Sequence, residues 1–512
     1  MNPAPISPAD DRSNAAWMEQ VRPANWVNPV PASRYNLVVV GAGTAGLVSA
    51  AAAAGLGARV ALVERHWMGG DCLNTGCVPS KTFIRSARAA AEMRAAARFG
   101  IRIPEEATVD FAAVMARVRA LRAGISPHDS ARRFRDLGVD VFLGEGRFCS
   151  GDTLEVNGQK LRFRRAVIAT GARAVIPDVR GLAATGFLTH ESVWSLTEQP
   201  RRLAILGGGP IGCELAQAFA RLGTAVTVFH SKPSILEKED ADAAAVVRVA
   251  LERDGVEFLR GVRVESAVRQ TDGLIHIGFR SESGASSSAG SREGFDTLLV
   301  ATGRRPNVAG LGLEAAGVAF DELRGVHVND RLQTTNPRIF AAGDVCLRHQ
   351  FTHAADFAAR IVVQNALFLG RKKASQLNIP RSTYTDPEIA SVGLTRQEAG
   401  ERGIAVTAFQ RDFKDVDRAR TDGVEEGFVR ILVATGSDRI VGATVVGSHA
   451  GELISELSVA MSGGIGLGRL ANVIHPYPTL AEAIRQCGDL YNRTRLTPTV
   501  KSLMARWLAW TR

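Results

Sequence analysis

The sequence predicts an α/β fold with two nucleotide-binding units and a C-terminal domain of α+β character. Three observations carry that expectation. The stretch "YNLVVVGAGTAGLVSAAAAAGLGARVALVERH", from Tyr35, reads as strand, glycine turn, alanine-rich helix and second strand, a βαβ unit. A near-copy, "RLAILGGGPIGCELAQAFARLGTAVTVFHSK", begins at Arg202. From about residue 380 the texture changes: "STYTDPEIASVGLT" and "GFVRILVATGSDRIVGATVVG" look like antiparallel strands with turns, and helical periodicity follows from Gly451. A chain of 512 residues with 51 glycines suits such a multidomain fold with many tight strand-to-helix turns.

Residues 1–33 read as an N-terminal arm with six prolines and no apolar run, so no cleavable signal peptide is expected. Trp17 and Trp26 suggest that the arm packs on the body. Gly41, Gly43 and Gly46 then form a G-x-G-x-x-G between a strand and a helix. The first glycine allows the tight turn, the second lets a pyrophosphate approach the backbone, and the third permits close helix packing. The helix N-terminus supplies positive potential for phosphates. Glu64, eighteen residues past Gly46 at the end of the next strand, stands where an acid binds ribose hydroxyls. Leu37 to Ala58 carries no charge over 22 residues, about a membrane span. Its glycines at fingerprint spacing favour a buried strand, turn and helix instead.

"GGDCLNTGCVPSKT" begins at Gly69. "CVPSKTFIRSARAAAEMR" reads as a helix start, with Pro79 tolerated in its first turn. Cys77 therefore sits near a helix N-terminus, which stabilises a thiolate. Lys81, one helical turn on, adds a second positive charge. Cys72 is expected on the preceding loop, close enough in sequence to pair with Cys77 as a redox-active disulfide. The alternatives are two unrelated buried thiols, or half of a zinc site, for which no second Cys/His pair stands nearby at ligand spacing.

In the second copy the glycines are Gly207, Gly209 and Gly212. Eighteen residues past Gly212 stands His230 rather than an acid, followed by Ser231 and Lys232. A missing carboxylate beside cationic and hydroxyl groups suits a 2′-phosphate, so NADPH is expected over NADH, with NADH possible. "RAVIATGAR" and "TLLVATGRRPN" echo each other as buried strands running into glycine turns. "RSESGASSSAGSREG" (280–294) reads as a flexible hairpin tip. The closing "RLTPTVKSLMARWLAWTR" is basic, amphipathic and tryptophan-bearing; it could touch a membrane surface, and a helix packed on the dimer body is the favoured reading.

Net charge is +10, which favours anionic partners or a merely solvated basic face. Six cysteines are too few for a secreted disulfide scaffold and point to the reducing cytoplasm. Cys149, Cys213 and Cys346 are expected to be small core residues, and Cys487 too, unless it assists the site.

With these motifs the chain resembles the pyridine nucleotide-disulfide oxidoreductases, the group that holds lipoamide dehydrogenase, glutathione reductase and mercuric reductase. "GGDCLNTGCVPSK" is specific to that group, and the resemblance runs from about residue 34 to about 500. It implies two Rossmann-like domains, one for FAD and one for NAD(P), plus a C-terminal α+β dimerisation domain. The corresponding division is 1–33 arm, 34–180 FAD-binding first part, 181–300 NAD(P)-binding, 301–379 FAD-binding second part and 380–512 dimerisation. It further implies that NAD(P)H reduces FAD, that FAD reduces the cysteine pair, that Cys77 faces the flavin, and that Cys72 attacks the outer substrate. Lys81 would sit near the flavin, paired with Glu214. Asp344 in "IFAAGDV", Gly146 in "GEGRF" and Gly171 in the first "ATG" would contact FAD, and Gly303 in the second the nicotinamide nucleotide. "FTHAADFAARIVVQN" would be the helix whose N-terminus points at the flavin. The protein would be a homodimer whose active sites borrow residues from the partner chain.

The acceptor is read from "IHPYPTLAEA". Disulfide reductases of this group carry a histidine five residues before a glutamate, as the general acid/base that protonates a departing thiolate. Counting back five from Glu482 gives Tyr477; His475 lies two residues earlier. Tyrosine, with an ordinary pKa near 10, is a poor proton shuttle at neutral pH. Mercuric reductase looks the same here. The expectation is a mercuric reductase-like enzyme acting on a small inorganic or thiol-bound substrate, with Cys72 and Cys77 as transient metal ligands. The vicinal C-terminal cysteine pair of mercuric reductases has no counterpart in "WLAWTR", nor has their N-terminal metal-binding domain in residues 1–33. The alternatives are a reductase of lipoamide or glutathione, with His475 as base, and a membrane-attached electron carrier to a partner protein. Nucleic-acid binding and stable membrane binding are not expected.

Overall fold

The computed structural model describes residues 11–104, 107–281 and 288–512. They fall into two compact units. The first comprises Met1–Ser231 and Gly255–Leu377, and the second Lys232–Asp254 and Asn378–Arg512.

The first unit holds two parallel sheets. In one, Val139–Leu143, Val60–Glu64, Tyr35–Val40 and Gln159–Ile168 lie side by side, all parallel, and Ile339–Ala341 pairs with the last of them. An antiparallel extension, Thr153–Val156 and Gly146–Ser150, continues the sheet. "YNLVVV" and "VALVE" are apolar on both faces because helices or loops cover both sides, the usual consequence of parallel pairing. The other sheet has the order Val256–Arg260, Ala225–His230, Arg202–Leu206, Thr297–Val300, Leu188–Thr189, again parallel. Each sheet feeds a helix through its glycine turn: Thr44–Gly55 in the first and Pro210–Arg221 in the second. The "ATG" echoes meet in a short ladder, Ala172–Ala174 against Arg304–Pro306. The insert's strands Ile275–Ser281 and Ala289–Phe295 pair antiparallel, so 280–281 and 289–294 of the expected tip 280–294 are strand rather than loop, while 282–287 lie outside the described residues.

The second unit is a five-stranded antiparallel sheet in the order Arg381–Thr383, Glu388–Gly393, Ile440–Gly447, Phe428–Ala434, Val406–Asp412. The helices Ala450–Ser462 and Glu482–Thr494 pack on it around a core that includes Ile431, Val445, Leu457 and Ile484. Arg430, almost fully buried in the sheet, is held by Asp240 and Asp242 at the start of the helix Ala241–Arg253. No described helix is long and apolar enough to cross a membrane, and Leu37–Ala58 resolves into strand, turn and helix.

Candidate active site

The two glycine turns are built alike. Gly41 has φ +101°, and a Cβ there would lie 2.4 Å from the Ala169 carbonyl oxygen; Gly207 has φ +115°, and its Cβ would lie 2.3 Å from that of Ala301. Added Cβ atoms at Gly46 and Gly212 would collide with the carbonyls of Gly41 and Gly207, at 1.8 and 1.9 Å. The middle glycines differ from these. Nothing lies within 4 Å of a Cβ at Gly209, and only the Gly70 Cα at 3.6 Å lies near one at Gly43. Both middle glycines cap their helices without a side-chain hydrogen bond, so the first-turn N–H groups face open space. That is a cradle for two pyrophosphates, and these residues fit two dinucleotides. Gly171 and Gly303 also bound open turns, both with positive φ. Gly343, with φ +80°, brings the turn before Asp344 against Ala45 at the start of the first fingerprint helix. Gly146 begins its strand beside Val63.

Glu64 ends its strand buried, accepting from Ala42 N at 2.7 Å and His66 N at 2.7 Å. Burial raises its pKa against those two hydrogen bonds. The second copy repeats the arrangement with another side chain: Gly208 N donates to His230 Nδ1 at 3.1 Å. Lys232 begins the part of the chain that belongs to the second unit.

Cys77 is the first residue of the helix Cys77–Ala95. Its N-cap, Gly76, offers no side chain, so the first-turn N–H groups are directed at the thiol. Cys72 lies on a one-turn helix, Gly70–Asn74, rather than on the expected loop. Both are free, half-buried thiols, the reduced form of the expected pair. Cys77 Sγ is 3.3 Å from Thr352 Oγ1, at the first residue of the helix Thr352–Leu367. A hydrogen bond from Cys72 pulls the Cys77 thiol well below its ordinary pKa; burial opposes this, and Thr352 and the Lys81 charge assist. The same bond, with burial, pushes Cys72 up. One thiol is poised as thiolate and the other as thiol. Lys81 Nζ bonds Glu214 Oε2 at 2.7 Å, joining the cysteine helix to the second fingerprint helix.

Several contributors escape the sequence reading. Asp71, next to Cys72, is bound by Arg304, which also holds Asp344 at 2.8 Å. Burial would raise the Asp71 pKa, but the Arg304 charge together with His190 and the Thr75 hydrogen bond outweighs it and keeps the carboxyl below the usual range. Burial raises Asp344 despite Arg304. His190 lies 3.7 Å from Asp71. The one legible signal is the arginine of "ATGRRPN", placed directly after a glycine turn. Two indoles brace the loop between the cysteines. Trp17 Nε1, from the arm, donates to Asn74 Oδ1 at 2.8 Å, and Trp194 Nε1 donates to the Thr75 carbonyl at 2.8 Å. Trp26 Nε1 donates to the Val141 carbonyl at 3.2 Å, so the described part of the arm packs on the body.

In the second unit, neither His475 nor Tyr477 is oriented by Glu482, which bonds Arg485 at 3.0 Å. His475 Nε2 is 2.9 Å from Glu456 Oε1 and its Nδ1 is 2.9 Å from the Val473 carbonyl. The Tyr477 hydroxyl donates to Asp417 at 2.9 Å, which raises its pKa. Cys487 is fully buried, bonded to the Val429 carbonyl, and pushed up to about 12 by burial. It is a core residue and does not replace a C-terminal thiol pair. Cys213 is buried as expected, while Cys149 is exposed on its strand because the sheet extension turns that position to solvent. Among the described residues no group of three or more His, Cys, Asp or Glu could hold a metal ion.

Residues 35–359 match the family described as pyridine nucleotide-disulphide oxidoreductase, and residues 379–487 match its dimerisation domain. The mercuric reductase of Staphylococcus aureus is 34% identical over 458 residues, 88% of this chain and 81% of that one. The dihydrolipoyl dehydrogenase of Thermus scotoductus is 34% identical over 470 residues, 90% of this chain and 98% of that one. Among solved structures, the HOCl-induced flavoprotein disulfide reductase RclA of Escherichia coli, as its Cu(II) complex, superposes with a TM-score of 0.78 at 28% identity, covering 90% of this chain and all of that one.

Proposed function

We propose that this chain, which belongs to the pyridine nucleotide-disulphide oxidoreductase family, passes electrons from NADPH through FAD and the Cys77/Cys72 pair to a soft, thiophilic metal ion. The family uses FAD and NAD(P)H. FAD, when bound, supplies the two-electron relay between nicotinamide and thiols. Gly41, Gly43 and Gly46 would hold its pyrophosphate, Glu64 a ribose, and Asp344 the ribityl chain, beside Gly146 and Gly171. Gly207, Gly209, Gly212 and Gly303 would hold NADPH, with His230 and Lys232 at its 2′-phosphate. The hydrogen bond from Cys72, with Thr352 and the charge of Lys81, itself fixed by Glu214, would keep Cys77 as thiolate. Cys72 keeps its proton until an acceptor draws it off, and the two sulfurs then bind the metal ion as a soft pair.

One observation carries the choice of acceptor: the proton donors at "HPYPTLAE" are occupied. Both ring nitrogens of His475 have partners, and the Tyr477 hydroxyl is held by Asp417. A departing thiolate must be protonated, whereas a metal ion bound by thiolates needs no proton donor. The Cu(II) complex of the RclA neighbour supports a metal acceptor. A second reading, reduction of a small disulfide, is favoured by the imidazole–carboxylate pair of His475 and Glu456. The dihydrolipoyl dehydrogenase relative, as similar as the mercuric reductase, supports it equally.

The dimerisation-domain match supports a homodimer, and the small number of cysteines, six, supports a reducing, cytoplasmic setting. NADPH oxidation by the purified holoenzyme, measured against mercuric and cupric ions, lipoamide and oxidised glutathione, tests the assignment. The expected result is fast turnover with a metal ion and weak turnover with disulfides. If lipoamide or glutathione is the better acceptor and His475→Ala abolishes that activity, while Tyr477→Phe leaves metal reduction intact, the second reading replaces the first.

A further inference from the structure

The C-terminal helix Pro498–Trp510 lies at the end of the chain with its residues, half-buried Val500 apart, exposed. Pro498 at its first position and Thr497, whose side chain accepts from Val500 N at 3.3 Å, fix its start. No residue of it is buried within the single chain. Val500, Leu503, Met504, Trp507, Leu508 and Trp510 recur at three- and four-residue steps and share one face. Leu503 is 69% exposed, Trp507 61% and Trp510 78%. The two indoles lie against each other, with ring centroids 5.3 Å apart. A contiguous apolar face of this kind marks an interaction surface.

Charge identifies the partner. Projected down the axis, Arg506 borders one side of the apolar face and Lys501 the other, with Ala505, Ala509 and Ser502 opposite, and Arg512 follows the helix end. No acidic residue occurs from Tyr491 to Arg512, while Arg493 and Arg495 add two more cations. Tryptophans beside leucines, flanked by cations on both sides, match the boundary between anionic headgroups and acyl chains. The helix lies outside the matched dimerisation segment, which ends at residue 487. At about 1.5 Å per residue it is roughly 20 Å long, too short to span a bilayer and long enough to lie in its surface.

We propose that this helix docks the enzyme reversibly on an anionic lipid surface. The docking is peripheral, since one short amphipathic helix does not anchor a protein permanently. It is independent of which acceptor the thiols serve.

The test is co-sedimentation of the full-length holoenzyme with vesicles of phosphatidylglycerol and phosphatidylcholine, and with phosphatidylcholine alone, at low and high salt. Binding is expected on the anionic vesicles and is expected to weaken with salt. Trp507→Ala with Trp510→Ala should weaken it about tenfold or more through lost apolar burial. Lys501→Ala with Arg506→Ala should do likewise, at about fivefold per cation. NADPH oxidation in solution should be unchanged in both. A wild-type protein that stays in the supernatant with both lipids overturns the proposal, as does vesicle binding that ignores lipid charge and salt. So does sedimentation velocity showing that the tryptophan substitutions dissociate a dimer, which would give the face to a second copy. The lipid comparison uses the unaltered protein and stands whether or not a variant folds.

Discussion

The two glycine fingerprints share a scaffold and differ at one side chain. In each, the N–H after the first glycine is received by a side chain from the end of the second strand: Ala42 N by Glu64 in one, Gly208 N by His230 in the other. The carboxylate offers only acceptors, so its remaining lone pairs suit hydroxyl donors. The imidazole accepts at Nδ1, and in its neutral form this leaves the proton on Nε2, a donor suited to phosphate oxygens. On the proposed reading one backbone geometry serves two nucleotides, and the residue at the strand end decides which. The copies differ also in the chain beyond the second strand. The first runs into the cysteine helix, whereas the second ends at His230 and contributes to the redox centre only through Glu214.

The largest expected effect comes from removing what the first copy alone possesses. Cys77→Ser should lower turnover roughly 10³-fold or more, as loss of a covalent participant does. The reduced holoenzyme should also lose its long-wavelength absorption band. Cys72→Ser should lose turnover as well but keep the band. A Cys77→Ser enzyme that keeps the band would show that the two cysteines have exchanged roles.

Next in size is a direct conversion of one fingerprint toward the other. His230→Glu places a carboxylate where Gly208 N can meet it, as Ala42 N meets Glu64. NADPH preference should collapse by about tenfold or more in kcat/KM, toward NADH, because a charge-assisted contact of about 1.5–3 kcal/mol gives way to repulsion. An unchanged NADPH-to-NADH ratio would remove His230 from the phosphate site and break the comparison.

The fingerprints were legible because strand, turn and helix are local, and because the first and third glycines are sterically compelled. The helix start at Cys77 was legible for the same reason. The Arg304 bridge between Asp71 and Asp344 was not, since Asp71 lies hundreds of residues from the other two and no periodicity links the three. The partners of His475 and Tyr477 were not legible either: Glu456 and Asp417 stand 19 and 60 residues away, outside any local spacing, while Glu482 pairs with Arg485 three residues on. The exposure of Cys149 and of the C-terminal helix depends on what tertiary packing leaves uncovered, which hydrophobicity alone does not report.

A smaller effect separates the contributions to the thiolate. Cys77 is charged above its folded pKa, and its band should fade as pH falls through that value, below the ordinary thiol pKa of about 8.5. Cys72→Ala removes the leading hydrogen bond and should move the midpoint upward most. Thr352→Val and Lys81→Met should each move it upward by less. Spectrophotometric titration of the reduced holoenzyme measures all three. A midpoint that Lys81→Met leaves in place would confine that lysine to its bond with Glu214, a link between the fingerprints without influence on the thiol.

The smallest expected effect tests the arm, which braces the first fingerprint's redox loop. Trp17 is buried, its indole N–H bonded to Asn74 and its ring 4.1 Å from the Arg122 guanidinium carbon. Asn74 in turn donates to the carbonyls of Met68 and Gly70, and Arg122 donates to its carbonyl. The side chain of this residue between the two cysteines is therefore tied at both its oxygen and its nitrogen. Trp17→Phe keeps an aromatic ring and removes one donor, leaving the Asn74 side-chain oxygen short of a partner at a cost of about 1–3 kcal/mol. In a unit of this size that lowers Tm by a few degrees, about 2–4 °C per kcal/mol or less. A structural role alone would end there. A positioning role adds a shift of the Cys77 titration midpoint, because Cys72 and Cys77 keep their hydrogen bond only while the loop holds its shape. A lowered Tm with an unmoved midpoint would make the arm a clamp on the fold and nothing more. A matching shift in both would show that Trp17 helps to set the thiolate that reduction of the cysteine pair produces.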